Sequence, residues 1–146
     1  MQAGEEAMTP EQVKLVQASF AKVVPIKEQA AALFYGKLFE LDPALKPLFR
    51  EDMVIQGQKL MASLAAAVAA LKAPDAIVPV LRDMGVRHAR YGVREKDYDT
   101  VGTALLWTLE QGLGAGFTPA VRDAWAATYA LVSGVMKDAA ATAPVG

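Results

Sequence analysis

Three polar side chains interrupt faces that are otherwise apolar: Tyr35, Gln56 and His88. His88 is the only histidine in the chain. Leu81, Met84 and His88 are spaced by three residues and then four, which puts the imidazole on the same helix face as the leucine. A histidine on such a face is ordinarily a core residue with local partners. Its chemistry allows more. A neutral imidazole can bind a metal through one nitrogen, and its other N–H then needs an acceptor to fix the tautomer. The carbonyl of Met84, one turn back, is the nearest such acceptor. Burying each of the three polar groups without a partner costs on the order of 1–3 kcal/mol. Two arrangements account for them. Either each makes a local hydrogen bond to a helix carbonyl, or one ligand lies between the helices, with His88 on one side and Tyr35 and Gln56 on the other.

Helices must carry these residues, and the sequence predicts an all-α chain. Thr9-Pro10-Glu11-Gln12 and Thr118-Pro119 are helix starts in which Thr caps free N–H groups and Pro occupies the first helical position. Thr9 and Gln12 also fit a capping box. The first helix runs to about Val24. The second, from about Ile26 to Leu41, carries Leu33, Phe34, Tyr35 and Leu38. Pro43 and Pro47 confine the next stretch to a short helix and an irregular corner ending in Phe49. A long helix from Met53 to Leu71 places Gln56, Leu60 and Leu64 at four-residue steps. After a break at Ala73-Pro74-Asp75, a helix from Ala76 to Ala89 carries His88, with interruptions expected at Pro79 and Gly85. Further helices are expected from Tyr98 to about Gly112 and from Pro119 to about Ala141. No stretch keeps a period of two, so strands are not expected. The GLGAGF run lacks the preceding strand and following lysine of a phosphate-binding loop.

A chain of 146 residues fits one compact domain, here residues 9–141, with an N-terminal extension at 1–8 and a frayed tail at 142–146. Hydrophobic residues at 53% and charged residues at 21% exclude global disorder. A net charge of −1 offers no electrostatic footprint for nucleic acid or an anionic membrane. The absence of cysteine excludes disulfides, thiolate nucleophiles, cysteine-held metals and covalent haem attachment, and suits a reducing cytoplasm. The apolar run from Leu60 to Leu71 is shorter than the roughly 20 residues a bilayer span needs. The acidic first residues carry no apolar signal core.

The succession FYGKLF, PALKPLF, QGQKLMASL, LRDMGVRHARYGV, DYDTVG and AWAATYALV resembles the single-domain bacterial globins over nearly the whole chain. It is most similar to the branch that includes the haem domain of flavohaemoglobins. The resemblance implies a globin fold with non-covalent haem b between the long helix and the histidine helix. In that arrangement His88 is the proximal iron ligand, Phe49 stacks on the haem at the corner, and Tyr35, Gln56 and Leu60 line the distal pocket. Phe34, Phe49, Leu60, Leu64, Leu81 and Leu105 offer long apolar walls for a flat macrocycle. Lys59 and Arg87 lie next to pocket residues and either reach an acidic haem edge or remain solvated surface charges. In related globins a tyrosine and a glutamate hold the proximal histidine. Tyr98 matches the tyrosine, but Ala140 stands at the glutamate position, and Asp138 lies on another face. The electron push needed to cleave peroxide is thereby weakened.

The implied function is reversible binding of oxygen, nitric oxide and carbon monoxide. It would serve oxygen storage or delivery, ligand sensing, or nitric oxide dioxygenation. The last would need a separate reductase, because the chain stops where a flavohaemoglobin continues into its flavin and nicotinamide domains. A haem-free globin-fold interaction or sensor module is the alternative of a different class. Such a module has no need of the proximal histidine, which this chain keeps.

Overall fold

The computed structural model describes residues 8–49 and 52–142. Among these residues every regular element is helical: α1 (Pro10–Val23), α2 (Lys27–Leu41), α3 (Met53–Ala69), α4 (Pro74–Arg90), α5 (Glu95–Leu113) and α6 (Pro119–Thr142). Short 3-10 turns join them, the longest spanning Pro43–Leu48. Both Thr-Pro starts cap as their chemistry dictates. Thr9 Oγ1 accepts from the Gln12 backbone N–H at 3.1 Å while Gln12 Oε1 accepts from the Thr9 N–H at 3.1 Å. Thr118 Oγ1 accepts from the Val121 N–H at 3.2 Å.

Several boundaries differ from the sequence expectation. Helix α4 begins at Pro74 and continues unbroken through Pro79 and Gly85. A proline there removes one intrahelical hydrogen bond, but Leu81 and Gly85 bury the following turns against α6, and this packing carries the helix through. Helix α5 starts at Glu95 rather than Tyr98 because Asp97 Oδ2 accepts from the Arg94 N–H at 2.8 Å, capping the first turn. The segment Met53–Lys72 is 20 residues long and apolar enough, by length and composition, to cross a membrane, longer than the Leu60–Leu71 run suggests. Gly57, Met61, Ala67, Val68 and Leu71 of that segment are buried inside the fold.

Met8, assigned to the extension, packs against the core, and its sulfur accepts from the Thr128 hydroxyl at 3.3 Å. Helix α6 takes in Thr142, whose hydroxyl donates to the Asp138 carbonyl at 3.0 Å. The remainder of the predicted extension and tail, residues 1–7 and 143–146, lies outside the described residues.

Two cores hold the helices. The larger gathers Val16, Phe20, Phe34, Leu38, Leu105 and Trp125 from α1, α2, α5 and α6, with Leu60 and Leu64 of α3 packed against it. Trp125 is 1% exposed and donates from Nε1 to Ser19 Oγ at 2.8 Å, which ties α6 to α1. The smaller core joins Leu81, Tyr98 and Met136, one each from α4, α5 and α6, with Met84 and Val93 beside them. Helix α3 therefore leans on α1 and α2, whereas α4 leans on α6. The residues that could do chemistry are divided between these two supports.

Candidate functional site

Tyr35 lies in the middle of α2, buried among aromatic rings. Phe34 and Phe49 meet it edge-on at centroid distances of 5.1 and 5.2 Å, and Phe39 stacks with it at 6.0 Å. Phe39, four residues after Tyr35 on the same helix face, is a member of this group that the sequence reading omitted. The Tyr35 hydroxyl donates to the main-chain carbonyl of Gln56 at 3.3 Å. The acceptor is a backbone group that any residue offers, and the Gln56 side chain takes no part in this bond. Helices α2 and α3 come close enough for this bond because Gly57 has no side chain: a Cβ there would sit 3.0 Å from Ala31 Cβ. Burial pushes the Tyr35 hydroxyl up to about 12, so it remains a hydrogen-bond donor at neutral pH.

Gln56, Leu60 and Leu64 are half-buried along α3. Phe34, Leu60, Leu64 and Leu105 also border an apolar cavity of about 20 Å³ in front of Trp125. Lys59 is exposed on the same helix.

His88 sits in the last turn of α4. Its Nδ1 lies 2.8 Å from the Met84 carbonyl oxygen, where only a ring N–H can serve as donor. The remaining nitrogen, Nε2, then carries the lone pair. Desolvation lowers the imidazole pKa, the Met84 bond opposes this, and the neighbouring Arg87 cation lowers it further, so the ring is neutral at pH 7. Arg87 Nε pairs with Asp83 Oδ2 at 3.1 Å on the exposed side of α4. Leu81, expected as a wall of the pocket, is 3% exposed and packs into the α4–α5–α6 junction with Tyr98 and Met136.

Tyr98 departs from what the resemblance implies. Its hydroxyl is buried with no hydrogen-bond partner among the described residues, and does not hold His88. Its main-chain carbonyl accepts from the Tyr129 hydroxyl at 2.6 Å, and burial raises the pKa of both phenols. Asp138 pairs with Arg82 Nη1 at 3.0 Å on the surface, as its position on another face requires. The acceptor found for the His88 ring is therefore a neutral carbonyl.

The structure thus gathers Phe34, Tyr35, Phe49, Leu60, Leu64 and Leu105 around the larger core, and Leu81, Met84 and Tyr98 around the smaller one. His88 joins the second group through Met84. No group of three or more His, Cys, Asp or Glu side chains that could hold a metal ion occurs among the described residues. One neutral imidazole among apolar side chains does not make a cage for a bare metal ion. It fits a cofactor that carries its own metal donors and would ask the protein for a single nitrogen, which His88 Nε2 could supply.

Fold and site together define an all-α protein with one imidazole whose Nε2 is left for a ligand. A Globin family model matches residues 32–136, and the chain belongs to the globin family. It is 28% identical over 145 residues to Neuroglobin-1 of Oncorhynchus mykiss, covering 90% of this chain and 91% of that protein. It is 37% identical over 129 residues to the flavohemoproteins of Bordetella parapertussis and Bordetella bronchiseptica. Those matches cover 84% of this chain and span 31% of the length of each flavohemoprotein. The chain is a haem-binding globin, of a family that binds diatomic gases such as oxygen.

Proposed function

We propose that this globin binds haem b through His88 Nε2 and holds oxygen, nitric oxide or carbon monoxide reversibly, with Tyr35 as the principal polar group on the ligand side. The observation that carries this reading is the contrast between the two polar groups. The imidazole has its Nδ1 committed to the Met84 carbonyl at 2.8 Å, while the phenol on the other support is held un-ionised by burial. Phe49, Leu60 and Leu64 supply apolar walls. Lys59 and Arg87 each lie next to a pocket residue in sequence and are suited to an acidic haem edge.

When bound, haem supplies a ferrous iron that coordinates oxygen and gives up one electron as oxygen and nitric oxide combine to nitrate. The protein groups decide how long oxygen stays. A phenol donor aimed at a ligand that takes on negative charge makes a charge-assisted hydrogen bond of about 1.5–3 kcal/mol. Tight retention makes a poor carrier and suits nitric oxide dioxygenation in the cytoplasm, with the spent electron returned by a separate reductase. A neutral carbonyl partner for His88 keeps the imidazole from becoming imidazolate-like, which favours reversible binding over peroxide cleavage. One feature supports storage or delivery instead: the Tyr35 hydroxyl must leave the Gln56 carbonyl to reach a ligand, which weakens retention.

Mixing the oxygenated protein with nitric oxide separates the two. Dioxygenation predicts rapid stoichiometric nitrate, then turnover only when a flavin reductase system is added. A stable nitrosyl complex, or oxygen loss faster than the reaction with nitric oxide, replaces it with storage or delivery.

A further inference from the structure

We propose that Gly85 is a positioning residue for His88, because the absence of a side chain lets α4 seat its backbone directly on the backbone of α6 and so sets how far the imidazole reaches. A Cβ built on Gly85 would lie 2.7 Å from Met136 Cα and 2.8 Å from Met136 C, and closer still to the Met136 carbonyl oxygen. All three atoms are main chain, in the interior of a 24-residue helix, and cannot swing aside as a side-chain tip would. Any larger residue at 85 must therefore push α4 away from α6 by about 1 Å, since packed interiors have no slack to absorb the overlap.

His88 is three residues further on, on a neighbouring face of the same helix, and its side chain leans back over the turn containing Met84 and Gly85. That lean is visible in the Nδ1 contact with the Met84 carbonyl. The turn that grips the imidazole is thus the turn that is seated on α6. Displacing it moves the ring nitrogens by a similar amount. Helix propensity argues the other way, because alanine is the better helix former. Were Gly85 only a helix residue, an alanine would be neutral or helpful.

The proposal rests on His88 as the axial ligand. The test uses haem-loaded wild type, Gly85→Ala, and Gly134→Ala as a control, since a Cβ at Gly134 meets nothing within 4 Å. Resonance Raman of the ferrous proteins reads the iron–histidine stretching band, and flash photolysis reads carbon monoxide association. Gly85→Ala should shift and broaden the band and change association by up to about 100-fold, the scale that a misplacement of about 1 Å reaches in other sites. Gly134→Ala should superimpose on wild type. A folded Gly85→Ala whose band and association match wild type overturns the proposal, even if its melting temperature falls.

Should Gly85→Ala fail to fold, Leu81→Val decides. It trims side-chain packing at the same seat while leaving the backbone stop, so its band should stay in place. A band that moves in Leu81→Val assigns the reach to side-chain packing and refutes the role of Gly85. If wild type shows no iron–histidine band at all, the ligand assignment itself has failed, an outcome distinct from either of these.

Discussion

The two supports of the site are built from different materials. Around Tyr35 the packing is between side chains, four aromatic rings within 6.0 Å of one another along the chain of neighbours and leucines against the larger core, and only the phenol hydroxyl goes to main chain, at the Gln56 carbonyl. Around His88 the decisive contacts are to main chain. The Met84 carbonyl meets the imidazole, the Met136 backbone meets Gly85, and the Tyr98 carbonyl meets the Tyr129 hydroxyl. A region held by side chains can be retuned by substitution, one group at a time. A region held by backbone keeps its geometry through most substitutions and loses it only where a glycine gives way.

The comparison makes graded predictions. Leu105→Ala removes a nearly buried side chain beside the cavity of about 20 Å³. It should cost about 2–5 kcal/mol in urea unfolding; a loss below about 1 kcal/mol would mean that the larger core collapses freely.

Tyr35→Phe should keep the ring cluster and remove the donor. Oxygen dissociation should then rise roughly 10- to 100-fold, at about 1.4 kcal/mol per tenfold, with a much smaller change for carbon monoxide in stopped flow. Equal effects on both gases would show a pocket merely opened. The same variant reports on pH. The Tyr35 hydroxyl is pushed up to about 12 in the fold, whereas an unfolded phenol ionises near 10. Its contribution to stability is therefore complete below pH 10 and lost as pH rises toward 12. Alkaline unfolding of Tyr35→Phe should fall less steeply over that window than wild type, and identical curves would contradict the shift.

The smallest effects lie on the histidine side. Tyr129→Phe loses a 2.6 Å bond to the Tyr98 carbonyl and should cost about 1 kcal/mol. Tyr98→Phe removes a buried hydroxyl with no partner among the described residues and should be neutral or slightly stabilising. The reverse ranking in thermal melts would show that the Tyr98 hydroxyl, and not its carbonyl, supports this region.

How much of this the sequence discloses follows from the same division. Apolar spacing and the Thr-Pro starts indicate the helices, and polar interruptions single out Tyr35, Gln56 and His88. The Met84 carbonyl could be anticipated because it is four residues from the imidazole on one helix. Contacts to backbone atoms far away in sequence leave no such mark. Every residue carries a carbonyl, so nothing in the letters at 98 or 136 announces that it is used. Pro79 was expected to interrupt α4, and tertiary packing on α6 overrode it. The early start of α5 was encoded in Asp97, three residues after Arg94, a capping signal without the usual Ser or Thr partner. Tyr98 matches the family pattern by position, but its hydroxyl has no hydrogen-bond partner among the described residues, which the letter at 98 does not reveal.

The most direct measurement is the ferrous spectrum after haem titration of wild type and His88→Ala. Wild type should take up one haem and show five-coordinate histidine ligation. His88→Ala, with no other histidine in the chain, should bind haem weakly or without that signature and regain it when free imidazole is added. A His88→Ala protein that keeps the wild-type five-coordinate ferrous spectrum would contradict the assignment of His88, and with it the site described between the two supports.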